Sequence, residues 1–128
     1  MRKNAVILAI DDEESILTLL GIHFRGLGLA LETAGTGEEG LRKAKALKPD
    51  LILLDVALPD ITGLDALQAL KEDPELKRIP VIILSGYPLE EASNVFLEAG
   101  AADYILKTVR IRQVIEDVLS YLPAGENQ

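Results

Sequence analysis

Leu51-Ile52-Leu53-Leu54-Asp55 decides how the rest of the chain reads. Four apolar residues in a row suit a parallel strand covered by helices on both faces. An acid directly after them falls at the carboxyl edge of the sheet, where open α/β sheets bind their ligands. Three further strand-like runs end in polar or charged residues. Ala5–Ile10 runs into Asp11-Asp12, Val81–Leu84 into Ser85, and Asp103–Leu106 into Lys107. In a parallel sheet these groups share one edge, with Asp55 at their centre.

Working outward, residues 5–10 read as a first strand, followed by the acidic loop Asp11-Asp12-Glu13-Glu14-Ser15. A helix over 14–27 repeats Leu17, Leu20, Phe24 and Leu27 at helical spacing, and Gly26 and Gly28 close it. Residues 29–34 read as a second strand and Gly35-Thr36-Gly37 as a turn. A helix follows over 38–47, although Gly40 inside it costs about 1 kcal/mol against Ala. Pro49-Asp50 leads into the third strand. After the loop 56–61, Thr62-Gly63-Leu64-Asp65 resembles a capping box that opens a helix to about 72. The fourth strand spans 79–84. Pro88 suits the first turn of a helix that reaches about 99 and stops at Gly100. The fifth strand spans 102–106 and the last helix 110–122, with a polar tail over 123–128. Strand and helix alternate five times. That pattern predicts an α/β fold: one doubly wound, five-stranded parallel sheet with right-handed crossovers and five helices. The 128 residues fit a single domain.

Composition narrows the function. With 48% hydrophobic and 27% charged residues, the chain has the material for a real core. Its net charge of -8 argues against direct nucleic-acid binding, which relies on Lys and Arg against phosphates. There is no Cys, so disulfides and thiolate metal sites are excluded. The first apolar run is too short for a signal peptide and ends in four acids. No run approaches the roughly 18 apolar residues of a membrane span, so no membrane partner and a cytoplasmic place are expected.

Asp11, Asp12 and Asp55 end the first and third strands. If those strands are neighbours, the three acids crowd together, and like charges that close resist ionising unless a cation joins them. Oxygen ligands without Cys or His favour Mg²⁺ or a similar hard ion. Ser85 adds a hydroxyl and Lys107 an ammonium. Metal, lysine and hydroxyl together are the usual parts of phosphoryl transfer, and a carboxylate nucleophile is established chemistry. Each residue also has a plainer reading. Asp12 can be only the N-cap of the first helix, with Glu13 and Glu14 favouring its positive end. Asp55 can cap the next helix, Ser85 can be a turn residue, and Lys107 can be solvated. The joint pattern at four strand ends favours a site. His23, the only histidine, reads as a surface residue, and Tyr104 as half-buried packing.

Asp11-Asp12, Leu53-Leu54-Asp55 with Pro59, Thr62-Gly63, Ser85 and Gly100-Ala101-Ala102-Asp103-Tyr104-Ile105-Leu106-Lys107 together resemble a response-regulator receiver domain of two-component signalling. The resemblance covers nearly the whole chain, with 1–122 as the domain. It implies a flavodoxin-like sheet in the order 2-1-3-4-5. It implies a phosphoryl acceptor, not an ordinary enzyme, that assists its own phosphorylation and dephosphorylation. Asp55 would accept the phosphoryl group from a histidine kinase or phosphotransfer protein. Asp12, Asp11, Asp55 and the backbone carbonyl of Ala57 would hold Mg²⁺, with Asp11 partly through water. Ser85 and Lys107 would contact the phosphoryl oxygens, and Tyr104 would swing inward as Ser85 moves. The face of the fourth helix, fifth strand and fifth helix would then change. A partner, an output domain or a second copy would read it. Both a stand-alone receiver and one from a longer regulator fit. The pair that tunes phosphate lifetime in the family, here Ala57 and Tyr87, carries no expectation about rate.

Two positions depart from the family pattern. Thr108 follows Lys107 where proline is usual. A cis bond before a residue other than proline costs about 2.5–4 kcal/mol, so a trans bond and an altered loop are expected there. Thr62 stands where Asp is common, which changes a helix cap and not the chemistry. Two other functions fit the fold class. A flavin-binding protein needs a Ser/Thr/Gly phosphate loop where this chain has Asp11-Asp12-Glu13-Glu14. An aspartyl-phosphate phosphatase usually carries a second Asp at the position of Ala57.

Overall fold

In the computed structural model, residues 5–86, 90–107 and 110–122 are described. Among them five strands alternate with five helices. The strands are β1 (Val6–Ile10), β2 (Ala30–Ala34), β3 (Leu51–Asp55), β4 (Val81–Ser85) and β5 (Asp103–Leu106). The helices are α1 (Glu14–Gly26), α2 (Gly37–Leu47), α3 (Gly63–Glu72), α4 (Glu90–Glu98) and α5 (Ile111–Tyr121). All four strand pairings are parallel, and the sheet order is β2-β1-β3-β4-β5. β1 and β3 are therefore neighbours, which is the condition that Asp11 and Asp55 need to meet.

β3 is buried along its whole length because both faces of the sheet are covered. Successive side chains of a strand point to opposite faces, and two cores result. On one face Leu8, Ile10, Ile52, Leu54, Val81 and Ile83 pack with Ala44 of α2, Leu67 and Leu70 of α3 and Phe96 of α4. On the other, Ile7, Leu51, Leu53, Ile82 and Leu84 pack with Leu20 and Phe24 of α1 and Val114 and Val118 of α5. α1, α2, α3 and α5 place buried residues three or four apart, the stripe an amphipathic helix turns to a sheet.

Local signals set the boundaries. α1 ends in a turn in which the Leu29 N–H donates to the Phe24 carbonyl at 2.9 Å, and Gly28 sits at φ 77°, a left-handed conformation that glycine adopts without strain. Thr36 and Thr62 cap α2 and α3, their hydroxyls accepting the N–H groups of Glu39 and Asp65 at 3.0 Å. At Thr62 the hydroxyl cap of the expected capping box is thus present. The fourth strand starts at Val81, two residues later than expected, and it includes Ser85 as its last residue. Asp12 is not the N-cap of α1. Glu13 holds that position without a side-chain bond, and its N–H donates to Asp11 Oδ1 at 2.9 Å. The 123–128 tail, Tyr87, Pro88 and the Lys107–Thr108 bond lie outside the described residues.

Candidate functional site

Asp11 follows β1 directly, and its N–H donates to the Ala34 carbonyl of β2 at 2.9 Å. The sheet ladder therefore carries it one residue past Ile10 and leaves its carboxylate at the carboxyl edge. Asp55 is the last residue of β3, paired with Leu84. Lys107 follows β5, and its N–H donates to the Ser85 carbonyl at 2.7 Å. Asp11, Asp55 and Lys107 share the face of the sheet that carries α1 and α5, by the alternation of the strands that deliver them.

The three side chains meet. Lys107 Nζ lies 2.9 Å from Asp11 Oδ2 and 3.4 Å from Asp55 Oδ2. It also donates to Glu13 Oε1 at 2.9 Å. Asp11 and Asp55 are buried and Asp12 is exposed. Each of the three acids offers an oxygen within 4.8 Å of the others. Asp55 Oδ1 accepts the N–H of Ala57 at 3.3 Å. Asp12, Glu13, Asp55, Ala57 and Lys107 line an open cleft of about 600 Å³ together with Gly86.

The electrostatics follow from this crowding. Burial, and then the charge of Asp11, push the Asp55 carboxyl up to about 6, although Lys107 and the Ala57 N–H pull the other way. Burial alone would depress the Lys107 ammonium. Its close contact with Asp11, its bond to Glu13 and the charges of Asp11 and Asp55 outweigh that and hold it above the ordinary lysine range. Asp11 Oδ2 is buried and takes no aligned hydrogen bond. The lysine at 2.9 Å attracts it by charge, but not along a bond direction. A hard cation in the cleft would supply the missing partner, so the donor set fits a divalent ion held by oxygens.

Ser85 is fully buried at the end of β4. By strand alternation it lies on the opposite face from Asp55, the face of Ile83 and Tyr104. Tyr104 is half-buried and tilts against Phe96, with ring centroids 5.7 Å apart. His23 is exposed, and its Nδ1 lies 2.9 Å from the Leu19 carbonyl of its own helix. Two residues enter the site or its support that sequence reasoning did not single out. Glu13 reaches Lys107 across 94 residues of sequence, which no local pattern discloses. Asp60, in the loop after Asp55, accepts N–H groups from α2. Its only sequence signal is the Pro59-Asp60 pair of a turn.

Glycine closes the site from behind. A Cβ on Gly63 would stand 2.7 Å from the Asp55 carbonyl oxygen and from Val56 Cα. Both are backbone, so neither can rotate away. Gly63→Ala is therefore expected to displace the Asp55–Val56 peptide and to cost about 1–3 kcal/mol. Denaturant unfolding measures this, and a loss under 0.5 kcal/mol would show that the contact relaxes freely.

Residues 7–119 match the family described as response regulator receiver domain. The chain is 39% identical over 123 residues to the alkaline phosphatase synthesis transcriptional regulatory protein PhoP of Bacillus subtilis, covering 96% of this chain and 50% of that protein. It is 31% identical over 122 residues to the DNA-binding response regulator MtrA of Mycobacterium tuberculosis, covering 95% and 52%. The chain thus spans about half the length of the curated relatives it matches. Among solved structures, it is 32% identical to a response regulator receiver domain protein of Methanospirillum hungatei, with a TM-score of 0.83 over 91% of this chain and 92% of that one. It is 27% identical to the chemotaxis response regulator CheY4 of Vibrio cholerae, with a TM-score of 0.87 over 93% and 99%. No helix among the described residues is long and apolar enough to cross a membrane. The sheet order, the acid pair after β1, the acid that ends β3 and the lysine after β5 agree with the family match: this chain belongs to the response regulator receiver domains.

Proposed function

We propose that this domain, residues 1–122, accepts a phosphoryl group on Asp55 from a histidine kinase or phosphotransfer protein, with Mg²⁺ held by Asp11, Asp12, Asp55 and the Ala57 carbonyl. The observation that carries this reading is the meeting of Asp11, Asp55 and Lys107 at one sheet edge. Mg²⁺, when bound, offsets the crowded negative charge and polarises the phosphoryl oxygens. In its ionised form, which a divalent cation beside it favours, the Asp55 carboxylate acts as nucleophile. One of its oxygens forms the bond to phosphorus as the bond from phosphorus to the donor nitrogen breaks, and the departing imidazole takes up a proton. Lys107, already on Asp55 Oδ2, meets the charge of the transferred group. A cytoplasmic place follows from such a partner.

Incubating the protein with a small phosphodonor tests the reaction. One phosphoryl group per chain is expected in the presence of Mg²⁺ and none after chelation. Equal labelling with and without the metal would remove Mg²⁺ from the account.

Ser85 and Tyr104 form the switch in this reading. A ligand moves an equilibrium only through contacts that differ between two states. Here the Ser85 hydroxyl bonds a phosphoryl oxygen, and the Tyr104 ring follows it inward on their shared face. α4, β5 and α5 then present a changed surface to an output domain or a second copy. Val95 and Leu97 on α4 and Leu119 and Tyr121 on α5 are exposed apolar residues that such a partner can cover. Structures with and without a phosphoryl mimic are expected to differ in the Tyr104 rotamer and the position of α4. If both stay in place, Ser85 and Tyr104 are not coupled.

A further inference from the structure

The loop that follows Asp55 is pinned at its tip by a carboxylate. Asp60 Oδ1 accepts the N–H of Gly37 at 2.8 Å and of Ile61 at 2.9 Å, and Oδ2 accepts the N–H of Glu38 at 2.8 Å. Gly37 and Glu38 open α2, so Asp60 satisfies two of the N–H groups that a helix start leaves without partners. The N–H groups of Glu38 and Gly37 also hold the Asp60 carboxyl below the ordinary range. Packing supports the same contact. A Cβ on Gly37 would lie 2.4 Å from Ile61 Cγ1, so glycine at that position lets the loop seat against the helix.

The base of this loop is closed on itself. Ala57 pairs with Thr62, and the Gly63 N–H donates to the Val56 carbonyl at 2.9 Å. The tip and base are thus parts of one short ring, and the base carries Ala57, whose N–H reaches Asp55 Oδ1 at 3.3 Å. Motion at Asp60 has only a few bonds to cross before it reaches the peptide at the acid cleft. The α2 cap does not depend on Asp60 alone, because Thr36 already accepts the Glu39 N–H.

We propose that Asp60 is a positioning residue of the phosphoacceptor loop: it clamps residues 56–62 to the start of α2 and so fixes the Ala57 backbone at the cleft, which sets the affinity for a divalent cation. The proposal rests on the phosphoacceptor reading above. Groups that orient metal ligands from behind typically change affinity by 10- to 100-fold when removed.

Calorimetric titration of the whole chain with Mg²⁺ tests it, alongside phosphorylation by a small phosphodonor. Asp60→Ala is expected to weaken Mg²⁺ about tenfold. It is expected to slow phosphorylation by a similar factor when Mg²⁺ is limiting and to recover when Mg²⁺ is saturating. Asp60→Asn keeps one oxygen for Gly37 and Ile61 and is expected to recover part of the affinity. It also carries the test if the alanine variant does not fold. Thr36→Ala weakens the same helix start without touching the loop, and its Mg²⁺ affinity is expected to match the wild type. Wild-type affinity in both Asp60 variants, or an equal loss in Thr36→Ala, would reduce Asp60 to a helix cap and overturn the proposal alone. A wild type that neither binds Mg²⁺ nor takes up a phosphoryl group would overturn the functional reading, and the proposal with it.

Discussion

Asp55→Asn is expected to make the metal-free protein more stable at pH 8, against the usual direction of a change in a buried site. The Asp55 carboxyl is raised from 3.8 to about 6, by burial first and by Asp11 second. A carboxyl that holds its proton more tightly folded than unfolded adds stability below its unfolded pKa. That stability is lost as pH rises through the folded pKa. The wild type should therefore lose stability between about pH 4 and about pH 6. Roughly two pH units at 1.36 kcal/mol each amount to about 3 kcal/mol. Asn removes the titration and keeps a carbonyl oxygen for the Ala57 N–H. Its amide NH₂ then faces the Lys107 ammonium, which reduces the gain to about 1–2 kcal/mol. Thermal melts should show the variant above the wild type at pH 8 and below it at pH 4, where the wild-type carboxyl is protonated and only the cost of the misdirected amide remains. Mg²⁺ should invert the order, because it stabilises the wild type by about 2.7 kcal/mol at a hundred times Kd and has lost a ligand in the variant. A variant that melts lower at pH 8, with no response to Mg²⁺ in either protein, would mean that these acids are scaffolding.

Lys107→Ala is expected to cost about 3 kcal/mol at neutral pH, the penalty of leaving buried charges without their partner. The lysine side chain is 15% exposed, against 3% for Asp11 and 6% for Asp55, so solvent cannot replace it cheaply. Its own titration adds no slope in this range. A lysine whose pKa is raised on folding keeps its full contribution below the unfolded value and loses it only as pH rises through the folded one. The slope comes from the acids it leaves behind. Asp55 takes up a proton at low pH, so the loss should shrink towards pH 4, and Mg²⁺ should restore part of it at pH 8. Denaturant titrations at the two pH values measure the loss. A cost of under 1 kcal/mol at both would class Lys107 with exposed ion pairs.

The fold was legible because strand-end residues and periodicity agree at every element. Leu51–Leu54, four apolar residues ending in an acid, reads as a doubly covered strand, and Thr62 and Gly28 punctuate helices by their own chemistry. The strand order was not legible from the residues themselves; it came with the resemblance. Asp11, Asp55 and Lys107 were legible as a group because each ends a strand or follows one at the same edge. Which acid of the Asp11-Asp12 pair lies inward was not. Both follow one strand, and only the ladder bond from the Asp11 N–H to Ala34 decides it. Glu13 and Asp60 escaped for a related reason. Their partners, Lys107 and the start of α2, are distant in sequence and adjacent only after folding.

The most direct measurement is to find the modified residue. After reaction with a small phosphodonor and Mg²⁺, borohydride converts an aspartyl phosphate to homoserine, and tandem mass spectrometry of the peptides locates it. Homoserine is expected at position 55 alone, with no phosphoryl uptake by Asp55→Asn. Homoserine at position 11 or 12, or uptake by Asp55→Asn equal to the wild type, would contradict the Asp55 assignment.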